Sequence, residues 1–215
     1  MPVLLLLPLF LAGAVLWTFA EYVLHRFLMH GMRGRGLPSR EHLMHHARRD
    51  YYASAGQKAL FSCVVTALMV PALVVAAGVP AAVTFQSGFI GMYLFYEWLH
   101  RRAHTHAPRG PYGRFLRRHH FHHHFGHPLE NHGVTSPVWD LLFGTRVEPG
   151  VVRVPRRLAM SWLLTPEGEL DPAWAADYLL VGRGPTGAAV ALSPETLAAD
   201  RDAAFGNRAP DEQIA

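Results

Sequence analysis

The chain has 215 residues, half of them hydrophobic, with 20 Lys+Arg against 16 Asp+Glu and 15 His. That length suits one domain with at most an appendage. The lone cysteine, Cys63, excludes an intramolecular disulfide, a Cys-ligated zinc ribbon and a Cys-held iron–sulfur cluster, so a redox centre here would use histidine, carboxylate and water. Positive charge is concentrated in residues 1–157, where arginines sit beside apolar runs; this pattern fits a membrane surface and argues against nucleic acid as partner.

Residues 3–20 form an uncharged apolar run, long enough for a transmembrane helix. A signal peptide is the competing reading, but the run has no basic n-region and a metal-type histidine pair follows closely. That pair, His25 and His30 in HRFLMH, has an offset of five, which leaves its members about 140° apart on an α-helix. Gly31 is expected to end this helix, with His30 at its fraying end. Ser39 is the expected N-cap of a helix from Arg40 that carries His42, His45 and His46 on one stripe. Two further apolar runs, roughly 59–79 and 81–96, are separated only by Gly78-Val79-Pro80 and predict a helical hairpin. His100 and His104 follow in HRRAH, then His120, His123 and His124 in HFHHH. Residues 127–150 read as loop with short apolar stretches, in which Trp139-Asp140 and Phe143-Gly144-Thr145 are expected to close a cap against the helices. Beyond Leu158 the chain is rich in Ala, Pro, Gly and acid. It is expected to divide into a membrane-embedded unit, 1–157, and a weakly structured acidic cytoplasmic tail, 158–215, of unknown role.

The expected fold is therefore an all-α integral membrane protein of about three transmembrane helices. Arg26, Arg33, Arg35, Arg40, Arg48, Arg49 and Lys58 lie between the first and second runs, and Arg101, Arg102, Arg109, Arg114, Arg117 and Arg118 follow the third. By the positive-inside rule the N-terminus is outside, and the histidines and C-terminus form a cytoplasmic, histidine-rich helical cap. In a bacterium the location would be the inner, cytoplasmic membrane.

Ten of the histidines thus fall in four clusters, three of which use offsets that place side chains on one helix face. A polar ring costs free energy to bury without a partner, and neutral imidazole is the commonest metal ligand, so metal binding explains them most economically. Ten ligands are too many for one ion and suit two. Ligand type alone leaves zinc, iron, copper and nickel open. The membrane setting favours O2 activation against a greasy substrate. The H-E-x-x-H signature is absent, and the carboxylate-bridged pattern Glu-x-x-His occurs only at Glu97–His100.

HRFLMH, HLMHH, HRRAH and HHFHHHF, followed by NHGVTSPVWDLLFGT, resemble the fatty acid hydroxylase branch of the sterol desaturase-like superfamily over roughly residues 15–146. The resemblance implies a membrane-bound non-haem di-iron monooxygenase that hydroxylates a C–H bond of a fatty acyl or sterol-like lipid. It implies as metal ligands His25, His30, His42, His45, His46, His100, His104, His120, His123 and His124, with no catalytic residue beyond them. Two iron ions are implied, although a purified sample could carry zinc. O2 is the co-substrate, and electrons come from a separate ferredoxin or cytochrome with its reductase. In the last box His119/His122/His123 also satisfies HxxHH, which leaves His119 and His122 as alternates or outer-sphere groups. His106, His127 and His132 are expected to be outer-sphere, entrance or surface residues. Glu21, Glu41, Asp50, Glu97 and Asp140 are the carboxylates available to accept a ligand's far ring N–H, although Glu97 could equally form a helix ion pair with Arg101. The rivals are a carotenoid ring hydroxylase or a lipid desaturase on the same scaffold and, in another class, a membrane metal-binding or transport protein.

Overall fold

A computed structural model of the chain describes residues 3–182. It is mostly helical: α1 (Leu6–Val23), a π-helical extension (Leu24–His30), α2 (Leu37–Ala47), α3 (Ala55–Ala77), α4 (Val79–Thr105), α5 (Gly110–Phe125) and the short α6 (Val138–Leu142). Two short strands, β1 (Val152–Pro155) and β2 (Tyr178–Val181), pair in parallel with Val152 opposite Tyr178 and Pro155 opposite Val181.

Three long helices form the frame. The segment Leu6–His30 and α3 are long and apolar enough to cross a membrane. Every residue of α3 remains at least partly exposed, the opposite of a core helix in a water-soluble fold. The three expected spans thus appear as three long helices of which two are apolar enough to span on composition. The third, α4, is diluted by Thr84, Gln86, Ser87, Gly88 and Gly91 and presents one face to α1. At 27 residues it is about 40 Å long.

Local chemistry sets the helix ends. Ser54 and Gln57 form a reciprocal capping box at the start of α3, satisfying two N–H groups that the helix leaves unpaired. Gly78, at φ +81°, both ends α3 and starts α4, with Pro80 in the first turn, so the expected hairpin forms. The α1–α4 contact depends on two glycines. A Cβ on Gly13 would lie 2.0 Å from the Phe85 carbonyl oxygen, and one on Gly88 would lie 1.9 Å from that of Phe10. The absence of side chains lets the backbones touch, and Trp17 then packs edge-on to Phe89 and against Tyr93.

Two local expectations are corrected. Ser39 is not an N-cap: α2 begins at Leu37 behind Gly36 at φ +76°, and Ser39 instead donates to the Met29 carbonyl and accepts from Gly34 N–H. It therefore ties α2 to the end of the π-helix. The segment 158–182 is not weakly structured. Leu163, Tyr178 and Leu180 join Leu116, Phe121 and Val154 in a buried core on α5, and Trp162 donates to the Ala103 carbonyl. The acidic character that suggested a solvated tail has a structural use in Asp177, which pairs with Arg114 and Arg118. The rest of the expected tail lies outside the described residues.

Gly88→Val is expected to cost at least about 3 kcal/mol through overpacking against backbone that cannot yield. Gly91→Ala, whose added methyl meets only the Phe10 ring at 3.9 Å, should be tolerated. Thermal unfolding in detergent will separate the two.

Candidate metal centre

The histidines converge on two groups. His25, His30, His42, His46 and His123 form the first, and His45, His100, His104, His120 and His124 the second; within each, one ring nitrogen per residue lies within 4.8 Å of all the others. All ten expected ligand positions, and no other histidine, make up the two groups.

Secondary structure explains the sorting. In α2, His42 and His46 are one turn apart and enter the first group, while His45 projects into the second. In α5, His120 and His124 enter the second group and His123 the first. Each HxxHH box therefore serves both groups rather than lying on one stripe. His100 and His104 of α4 complete the second group with the same one-turn spacing. The first group is completed by the π-helix. Its i→i+5 hydrogen bonding, seen in Gly31 N–H to Arg26 O at 3.0 Å, brings residues five apart into register. His30 is therefore not at a frayed end: its ring centre lies 5.2 Å from that of His25, and both are buried.

The ring nitrogens meet in a way that hydrogen bonding cannot satisfy. His42 Nε2 lies 2.8–3.0 Å from Nε2 of His25, His30 and His46. His30 and His123 approach at 2.9 Å, His45 and His100 at 3.0 Å, and His104 and His120 at 2.9 Å. The far nitrogen, Nδ1, of His25, His45 and His123 donates to the carbonyls of His132, Tyr51 and Glu130 respectively. In a neutral ring this leaves Nε2 as a bare acceptor. One proton on His42 Nε2 cannot serve three neighbours. His124 Nε2 is buried with no hydrogen-bond partner. A cation at the centre of each group resolves the conflict. Two nitrogens about 2.1 Å from an ion and at right angles lie about 3.0 Å apart, which matches the observed spacing. Burial holds His42, His46, His120, His123 and His124 well below the usual imidazole range, with neighbouring histidines adding to the effect. His45 is lowered to about 4, again chiefly by burial. The rings are therefore neutral near pH 7, as metal ligation requires.

The surrounding residues hold this arrangement. His119 and His132 both face the buried Asp140 carboxylate, which also accepts from the His132 and Gly133 N–H groups and the Thr145 hydroxyl. Burial alone would raise Asp140, but these hydrogen bonds together outweigh it and hold the group well below the usual carboxylate range. His122 donates to Glu130, and His127 lies within ion-pair distance of the same carboxylate. His106 is exposed, and its carbonyl accepts from Arg117. The expected carboxylates are used differently. Glu21 accepts from Val134 N–H and from the N–H and hydroxyl of Thr135, Glu41 from the Tyr51 hydroxyl, and Asp50 pairs with Arg49. Glu97 pairs across the helices with Lys58, not with Arg101. The acceptors resolved for three ligand rings are backbone carbonyls, which side-chain identity does not announce.

An apolar cavity of about 370 Å³ opens beside both groups. Leu24, Leu28, Leu60, Phe61 and Val64 contribute to its wall, and His25, His42, His45 and His100 also line it.

A family model for fatty acid hydroxylases matches residues 10–145. The chain belongs to the fatty acid hydroxylase family. It is 29% identical to a dihydroceramide fatty acyl 2-hydroxylase of Arabidopsis thaliana, over 65% of this chain and 61% of the relative. It is 32% identical to the fatty acid 2-hydroxylase of Homo sapiens, over 64% of this chain and 39% of the relative. The solved structure of full-length Scs7p, in which only the hydroxylase domain is visible, superposes with a TM-score of 0.56 at 28% identity, covering 69% of this chain and 59% of that one. The chain thus spans about 60% or less of the length of these relatives.

Elemental analysis of purified protein is expected to find two metal equivalents per chain, with loss of one on His30→Ala or His104→Ala. Asp140→Asn leaves one amide N–H facing a donor and should weaken metal retention by about 10–100-fold, as outer-sphere changes do. Competition with a coloured chelator will measure this.

Proposed function

We propose that this protein is a membrane-embedded, O2-dependent lipid hydroxylase with a di-iron centre. The observation that carries this reading is the apolar cavity lined by ligands of both histidine groups. A long hydrocarbon chain fits such a cavity, and one of its C–H bonds would lie beside the centre. The relatives named as fatty acyl 2-hydroxylases support an acyl chain of a fatty acid or ceramide-type lipid as substrate.

In this reading α1, α3 and α4 cross the bilayer, the N-terminus is outside, and α2, α5 and the described residues after α5 form a cytoplasmic cap. The ten histidines hold two ions, five rings to each. Bound iron would supply O2 activation, so that one oxygen atom enters the C–H bond and the other leaves as water with two electrons and two protons. Zinc binds the same donors but has no redox chemistry. The electrons come from a ferredoxin or a cytochrome with its reductase. The chain's own residues orient and exclude. The carbonyls of His132, Glu130 and Tyr51 fix the rings of His25, His123 and His45. Leu60, Phe61 and Val64 of α3 and Leu24 and Leu28 of the π-helix keep water from the reacting carbon and select which carbon reaches it.

The test is mass spectrometry of lipids from cells expressing wild type or His123→Ala, with a donor and reductase co-expressed. A lipid class gaining one oxygen only with the wild type is expected. Outer-sphere losses already reach about 100-fold, so removing a ligand should cost at least that much product. Loss of two hydrogens instead would make the reaction a desaturation. An unchanged lipid profile from iron-loaded protein would overturn the proposal.

A further inference from the structure

α6 carries an apolar face that no other described part of the chain covers. Val138, Leu141, Leu142 and the following Phe143 are 52%, 62%, 66% and 50% exposed, in a segment where Trp139 is half-buried and Asp140 wholly buried. Such a contiguous patch is unusual on a surface facing water. Its position indicates what covers it. Trp139 donates to the Thr18 hydroxyl of α1, its ring lies 4.8 Å from Phe19, and Phe143 stacks on Tyr22 at 5.2 Å. The patch therefore continues the outward face of α1, where Val15 and Leu16 are exposed. Towards the cap, Arg26 donates to the Tyr22 hydroxyl and lies over the Phe27 ring. α6 thus sits between an apolar stretch of α1 and a cationic, aromatic rim. This is the depth at which indole rings and the heads of arginines meet a membrane surface.

We infer that α6 is seated in the lipid interface, a membrane contact separate from the long helices, with Leu141, Leu142 and Phe143 among acyl chains. The occupant is bilayer lipid, because the patch is continuous with the face of α1 read above as a membrane span, and the inference rests on that reading. The contact also bears on the metal centre. Asp140, on the inner face of α6, holds the backbone of His132 and Gly133, and the His132 carbonyl holds the His25 ring. Lipid contact outside and ligand support inside are two faces of one helical turn.

The experiment places a nitroxide at Leu142→Cys in a Cys63→Ser background, in full-length protein reconstituted into phosphatidylcholine/phosphatidylglycerol vesicles. Collision with O2, which concentrates in the bilayer, is compared with collision with a water-soluble nickel complex. Val15→Cys and Glu148→Cys serve as references for α1 and the cap, and Leu141→Cys replaces Leu142→Cys if that variant fails to fold. The inference expects position 142 to follow Val15, with O2 access several-fold above nickel access. Nickel access equal to that at Glu148 would overturn it. So would shielding from both relaxers, or spin–spin broadening, since a protein surface or a second copy would then cover α6. A Val15 label open to nickel would instead overturn the spanning reading of α1, so the two failures are distinguishable.

Discussion

A neutral imidazole that donates through one nitrogen offers a bare lone pair at the other, and this fold brings ten imidazoles into two dry groups. Left alone, such a gathering is costly. The rings have lost water, the facing nitrogens cannot all be paired by protons, and charging the rings is opposed by burial and by one another. The observed approaches of 2.8–3.0 Å make sense around a central cation. Much of the described structure can be traced to that requirement. Four helical segments from separate parts of the chain must end at one place, at the correct rotation, with their outer nitrogens held.

The holding is done largely by a loop distant in sequence from most of the gathered histidines. Residues 130–135 supply the carbonyls for His123 and His25 and are themselves fixed by two buried carboxylates. Asp140 accepts from the loop's N–H groups from one side, and Glu21 accepts from Val134 and Thr135 from the other. A buried carboxylate is expensive unless its oxygens are filled, and here each is met by several donors. Glu21 belongs to α1, one turn before His25, so the same helix presents a histidine of the first group and clamps the loop that orients it. Arg117 does comparable work at the other end, donating to the carbonyls of Arg102 in the last turn of α4 and of His106 just after it, and so fixing α4 against α5.

The set of ten histidines, though not their division into two groups, was legible because imidazoles at one-turn spacing beside apolar runs are rare without a metal, and the runs and the Gly78 turn follow from hydropathy and backbone freedom. Three further things were not legible. The offset of five between His25 and His30 looks wrong on an α-helix and becomes right only in a π-helix, which nothing in LHRFLMH specifies locally; the tertiary demand for both rings wins. Ser39 has the chemistry of a cap, but Gly36 can take the positive φ that starts the helix earlier, which frees the hydroxyl to bridge Met29 and Gly34. Residues 158–182 read as polar and irregular because their order comes from a few widely spaced side chains, Leu163, Tyr178 and Leu180, and from pairing with β1 rather than from any periodic pattern.

The interleaving of the boxes has a consequence for how the two sites relate. Had α2 given all its histidines to one group and α5 all of its own to the other, each ion would sit on its own support and the sites could vary separately. Instead His45 and His46, adjacent in sequence, face different groups, as do His123 and His124, and the rings of His46 and His124 stack at 4.0 Å across the boundary. A rotation of either helix that improves one group necessarily disturbs the other. The supports nevertheless differ. The first group depends on the π-helix and the 130–135 loop, whereas the second depends on α4, one of the longest and most continuous elements in the frame. A shared pair of helices between unequal supports fixes the two groups side by side and makes the first, with its π-helix and hydrogen-bonded loop, the one more sensitive to its surroundings.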